Sequence, residues 1–193
     1  MELKTSSAPL IVAARGLFAQ RGYALVELTE IAREADVSEE EAQRLYPGGK
    51  EELFRAVAVS LSAETAARIR AEARLGSDPW EALERGISAF LDASETPEVG
   101  QILLRDGPTV LGGEVWRAID SEYAVGLLER ALQDAIDAGQ VPPQPTRAAA
   151  HVLVGALEEA AIAVAGAEDP MTARAEMGRT VEHLLAGLRA PMA

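Results

Sequence analysis

The sequence predicts an all-α protein of about nine helices, on three observations. Apolar residues recur at a spacing close to 3.6 almost throughout the 193 residues. Alanine, leucine, glutamate and arginine dominate, whereas β-branched clusters are few. Glycine and proline gather at discrete points between the periodic stretches, where they act as breaks.

Taken in order, a first helix is expected from about Ser7 to Arg21, with Leu10, Ala13, Ala14, Leu17 and Phe18 as its apolar stripe and Gly22 as its stop. A second starts near Thr29 and turns inward Leu28, Ile31 and Ala32. The tight turn Ala35-Asp36-Val37 leads to a third helix, from Ser38 to about Tyr46. Pro47-Gly48-Gly49 breaks the chain, and a long fourth helix runs from Lys50 to about Leu75. The fifth begins at Pro79, well placed in a first turn because its missing N–H costs nothing there. Pro97 opens a short sixth helix ending near Asp106-Gly107-Pro108. The seventh spans roughly Gly113 to Ala138 and stops at Gly139. The eighth covers about Thr146 to Ala165, and the ninth ends near Leu188.

Composition narrows the function classes. The chain holds no cysteine, which removes disulfides, thiolate metal sites and thiol catalysis together. No uninterrupted run of about 18 apolar residues is evident and no basic-then-apolar leader opens the chain, so neither a membrane span nor secretion is expected, and a cytoplasmic location is. There is no phosphate loop, nucleophile elbow or metal-spaced histidine pair, so no enzyme activity, metal or cofactor is expected. Pairs such as Glu64 with Arg68 and Glu81 with Arg85 read as helix-surface support. The net charge of −13 argues against a general nucleic-acid coat, so DNA binding would need a local site.

One stretch is more specific. Leu17-Phe18-Ala19-Gln20-Arg21-Gly22-Tyr23, Leu28-Thr29-Glu30-Ile31-Ala32-Arg33-Glu34-Ala35-Asp36-Val37-Ser38 and Tyr46-Pro47-Gly48-Gly49-Lys50-Glu51-Glu52-Leu53 together resemble the N-terminal helices of the TetR family of transcriptional regulators. Leu103-Leu104-Arg105-Asp106-Gly107-Pro108 and Gly155-Ala156-Leu157-Glu158-Glu159-Ala160 extend a looser resemblance over nearly the whole chain. It implies a helix-turn-helix domain over residues 1–55 and a ligand-binding and dimerisation domain over 56–193. It also implies a homodimer on double-stranded operator DNA and a small apolar or amphipathic ligand that releases it. Two short helices around a tight turn suit such a fold, whose second helix enters the major groove. Thr29, Ser38, Gln43, Arg44, Tyr46 and Lys50 are then the candidate DNA contacts. Thr29, Ser38 and Lys50 match the family motif and would hold phosphates, while Gln43 and Arg44 would face bases or backbone.

The third helix departs from the family pattern. Glu39, Glu40 and Glu41 stand where basic, glycine and small residues are usual, Gln43 replaces a phosphate-contacting tyrosine, and Asp36 stands where glycine is common. Acids there favour the helix dipole by about 0.3–1 kcal/mol each, and Ser38 with Glu41 fits a capping box. Phosphate affinity is not helped, since it comes from Lys, Arg and free amides. Residues 1–55 carry seven basic against ten acidic side chains, a net of −3. Two readings therefore stand: a repressor, or a TetR-like ligand-binding dimer whose DNA affinity is weakened or lost.

In the remainder, Trp80, Phe90, Leu104, Trp116, Ile119, Tyr123, His151, Gly155 and Glu158 are the candidate ligand contacts. Trp116, Ile119 and Tyr123 share one helix face, and His151, Gly155, Glu158 and Ile162 another. Plain core packing fits the aromatic residues equally well. Leu153, Leu157, Val181, Leu184, Leu185 and Leu188 are the expected dimer interface, because the last two helices carry more apolar surface than one small core needs. The resemblance implies that ligand acts by biasing the long fourth helix.

Overall fold

The computed structural model describes residues 7–189. They are helical almost throughout, and no strand occurs among them. The helices are α1 (Ala8–Arg21), α2 (Leu28–Glu34), α3 (Glu39–Leu45), α4 (Gly49–Ala73), α5 (Pro79–Ser94), α6 (Gly107–Asp120), α7 (Gly126–Asp137), α8 (Thr146–Ala165) and α9 (Pro170–Arg189). Two π-helical turns, Val99–Asp106 and Ser121–Val125, lead into α6 and α7.

The chain forms two compact units. Of the described residues, one takes 7–62 together with 97–116; the other takes 63–96 and 117–189. The boundary expected at residue 55 therefore falls short, and the N-terminal unit also claims a stretch from the middle of the chain. The reason is local. Val99, Ile102, Leu103 and Leu104 are buried, and their turn packs on α1. Two polar ties hold it there. The Arg15 guanidinium donates to Glu98 at 2.9 Å, and the Tyr23 amide donates to the Asp106 carboxylate at 2.8 Å. Asp106 also accepts from Gln101 at 3.1 Å.

Phe18, Tyr23 and Phe54 form the aromatic heart of this unit. Their rings lie 5.1–5.7 Å apart, two of the three pairs edge-on, the geometry that ring quadrupoles favour. Leu10, Val26, Ile31, Leu53 and Val57 are also fully buried in this unit. α2 begins with a reciprocal cap that sequence reading passed over: Glu27 caps the N3 amide while Glu30 returns to the Glu27 amide at 3.0 Å. The turn into α3 runs through Asp36 at φ 54°, a left-handed conformation that aspartate tolerates better than most residues.

The second unit packs α5, α7, α8 and α9 around Trp80, Leu83, Ile87, Leu128, Leu132, Val154, Leu157, Val181 and Leu185. Asp78 caps α5 by accepting from the Trp80 and Glu81 amides, and Glu81 pairs with Arg85 at 2.9 Å. By length and mean hydropathy (1.6 over its most apolar window), α8 could span a bilayer. This departs from the expectation of no such segment, because an averaged window tolerates the two charges Glu158 and Glu159 that interrupt an apolar run. Ala150, Val154, Leu157, Ala161 and Val164 of α8 are buried, as in a core helix.

A break expected at Gly107-Pro108 is absent. The helix carries on and turns only at Gly112, φ 75°. Gly107 is helical, and the Trp116 ring lies so close to it that a Cβ there would sit 2.5 Å from the ring, so only glycine fits. The preceding π turn gives the Pro108 ring the room that an α turn denies. Gly107→Ala should therefore lower stability by about 1–3 kcal/mol. Adding Trp116→Leu should recover much of that loss, measured as a double-mutant cycle by urea denaturation.

Candidate nucleic-acid interface and ligand cavity

Two sites deserve construction from their residues, one in each unit. In the N-terminal unit, α2 and α3 are joined by the four-residue turn Ala35–Ser38, the spacing of a helix-turn-helix. Ser38 caps α3 by accepting from the Glu41 amide at 3.2 Å. The reciprocal half of the expected capping box does not form, since Glu41 pairs with Arg44 at 3.0 Å instead. Glu39 and Glu40 are exposed at the start of α3, and Thr29 is exposed in the first turn of α2.

Several expected DNA contacts are committed elsewhere. The Lys50 ammonium donates to the carbonyls of Val26 at 2.7 Å and Tyr23 at 3.2 Å, and it lies 4.3 Å from the centre of the Tyr23 ring. It acts as an internal tie rather than as a free phosphate ligand. Tyr46 is buried, because Ala42 and Tyr46 turn toward the unit's interior. The Gln43 amide donates to the Pro47 carbonyl at 3.0 Å, which closes the end of α3. Arg44 remains largely exposed despite its pairing with Glu41. Arg21 is held by Glu30 at 3.0 Å, while Arg33 and Arg55 are exposed.

In the second unit, a cavity of about 80 Å³ opens between α4, α5, α7 and α8. Ile69, Ala73, Ala82, Leu83, Gly86, Ile87, Phe90, Ala124, Leu127, Leu128, Ala131, Val154 and Leu157 form its wall. Of the expected ligand contacts, Phe90 alone lies on it. Trp80 is buried in the core, where its indole N–H donates to Glu84 at 2.6 Å and Arg189 covers its ring. Leu104 and Trp116 belong to the N-terminal unit. Ile119 is buried, Tyr123 is half-buried, and His151 and Gly155 are exposed. Small residues mark the wall because they leave the space: Ala73, Ala82, Gly86, Ala124 and Ala131. Their pattern is visible in the sequence, but alanine is abundant everywhere, so the signal has no contrast.

Glu158 does gather with a partner that sequence reading missed. Burial pushes its carboxyl up to about 7, and the charge of Asp120 on α6 pushes it the same way. Asp120 is itself raised by burial, with His151 pulling it back. The residues assigned to a dimer interface point inward instead. Val181, Leu185 and Leu157 are buried in their own unit, Leu153 and Leu188 pack against that core, and Leu184 alone is exposed. The outer face of α8 carries apolar residues as its inner face does, so periodicity could not tell one from the other, while the outer face of α9 is mostly polar. Val152, Ile162, Met171 and Leu184 are the exposed large apolar side chains of the two helices, with Gly155 near Val152 on α8.

Residues 10–57 match the bacterial regulatory proteins of the tetR family, and residues 80–188 match the tetracyclin repressor-like C-terminal domain. The chain belongs to the TetR family. A TetR-family transcriptional regulator from Pectobacterium atrosepticum superposes with a TM-score of 0.83 at 29% identity, over 96% of this chain and 95% of that one. The fatty acid degradation regulator FadR of Bacillus halodurans shares the fold, with a TM-score of 0.75 at 19% identity, over 95% of this chain and all of that one. So does RolR in complex with resorcinol, with a TM-score of 0.69 at 20% identity, over 96% and 94% of the two chains. Sequence comparison with proteins of curated function finds no match. For this TetR chain the helix-turn-helix and the C-terminal helical domain expected from sequence are thus both present.

The Glu158 carboxyl carries a signed prediction. Its folded value of about 7 lies above the ordinary 4.5, so the stability belonging to its neutral form is complete below pH 4.5. That stability is lost as pH rises toward 7. Glu158→Gln should raise the melting temperature at pH 8 and change it little at pH 4.5. An equal effect at both pH values would show that its carboxyl is not shifted.

Proposed function

We propose that this protein is a ligand-responsive transcriptional regulator of the repressor type. It binds operator DNA as a homodimer through α2 and α3, and a small molecule in the cavity releases it. The observation that carries this reading is the pairing, in one TetR chain, of a helix-turn-helix with an apolar cavity in a separate compact unit. Pockets with mostly apolar walls between helices are where small ligands bind. Thr29, Ser38 and Arg44, all exposed, would contact the DNA, joined by the exposed cations Arg33 and Arg55. The dimer forms through the outer face of α8 and α9, where Val152, Gly155, Ile162 and Leu184 stand exposed. Such a regulator works in the cytoplasm.

A second reading is favoured by one observation: Glu39 and Glu40 stand exposed at the start of α3, while Lys50 and Arg21 are tied to groups of their own unit and Arg44 pairs with Glu41. On that reading the chain is a ligand-binding dimer whose affinity for DNA is weak.

Purified protein incubated at low salt with fragmented genomic DNA of its host decides between them. Enrichment of one or a few palindromic sites supports the repressor. No enrichment, with the protein folded and dimeric, supports the second reading. Val152→Glu combined with Leu184→Glu should give a folded monomer in sedimentation analysis that retains no palindromic DNA, since two half-sites need two heads. A dimer that survives this substitution would place the interface elsewhere.

A further inference from the structure

The wall of the cavity says what can sit there. Every one of its lining side chains is apolar: no hydroxyl, amide or charged group faces it. The backbone groups nearby belong to α4, α5, α7, α8 and the π-helical turn Ser121–Val125, and helical backbone spends its hydrogen bonds within the helix. A ligand group that carries a charge, or that needs several hydrogen bonds, would be stripped of water and offered nothing in return. The space of about 80 Å³ corresponds to roughly six water-sized volumes, enough for one aromatic ring or a short alkyl chain.

We infer that the effector of this regulator is a small uncharged hydrocarbon, aromatic or short-chain aliphatic, held without any polar anchor. The inference rests on the ligand-responsive reading above and narrows it to a chemical class. Phe90 and Ile87 supply the large faces against which such a molecule packs, and Ala131, Ala124 and Gly86 leave the room it fills. Its recognition is by shape and by the apolar area removed from water. Acidic or basic relatives of the same skeleton are disfavoured, because a charge seated against this wall loses its water and gains no partner.

Calorimetric titration of the full chain tests this, with toluene and benzene as neutral probes and benzoate and benzylamine as charged ones. The expected result is binding of a neutral probe at least about 100-fold tighter than that of its charged relative. Ala131→Phe should abolish it by filling the space. Gly86→Ala, whose added methyl would meet the Ile69 side chain at an ordinary 3.5 Å, should weaken it several-fold in a protein with unchanged circular dichroism. The Gly86 variant keeps the test decisive if the larger substitution prevents folding. Charged probes that bind as well as neutral ones, and are displaced by the same substitutions, would overturn the hydrocarbon class while leaving a ligand-responsive cavity intact. No binding of any neutral probe would overturn the inference outright. Neutral probes that bind but leave DNA retention unchanged would uphold the ligand class and sink the repressor mechanism instead.

Discussion

The N-terminal unit depends on the placement of one ammonium group. Lys50, in the first turn of α4, donates to the carbonyls of Tyr23 and Val26 and covers the Tyr23 ring. Those carbonyls lie in the link between α1 and α2, which holds only a single 3-10 turn, Tyr23–Leu25, whose one internal bond is the long 3.4 Å contact from the Val26 amide to the Tyr23 carbonyl. A cation can satisfy both and gain from the ring at once. The tie fixes the end of α1 and the entry to α2 against the start of α4. The Phe18, Tyr23 and Phe54 cluster then fills the space between them. α2 and α3 inherit their positions from this arrangement.

That solution has an electrostatic consequence. Lys50, Arg15 and Arg21 serve the unit's interior and edges, where each meets a carbonyl or a carboxylate. The acids Glu39, Glu40 and Glu41 suit the first turn of α3, where the helix dipole welcomes negative charge. What stabilises the head therefore draws cations away from its outer face and places anions upon it. Folding and phosphate binding pull the same few residues in opposite directions, and in this chain folding has the larger claim.

The second unit separates two kinds of environment. The cavity is walled by hydrocarbon, whereas elsewhere in the unit burial raises the proton affinity of both Asp120 and Glu158, and the charge of Asp120 raises that of Glu158 further. The cavity itself exists because several wall positions are alanine or glycine, so that neighbouring helices leave a gap that larger side chains would close. Packing defects of this kind lower stability, and their presence in an otherwise dense helical core is consistent with a place kept for a guest.

The helices were legible in the sequence because their signals are local. Ser38, Asp78 with Pro79, Gly22 and Gly139 mark ends through capping, fixed φ or positive φ, and each marks an observed end. The family was legible from the motif between Leu17 and Leu53, and the all-α class from periodicity. Tertiary structure alone decided the rest. Nothing local says that Lys50 turns inward, that Gly107 stays helical under Trp116, or that 97–116 joins the N-terminal unit. Nor does periodicity choose which face of α8 is buried, since apolar residues lie on both. Those outcomes depend on partners distant in sequence, and only packing brings them within reach.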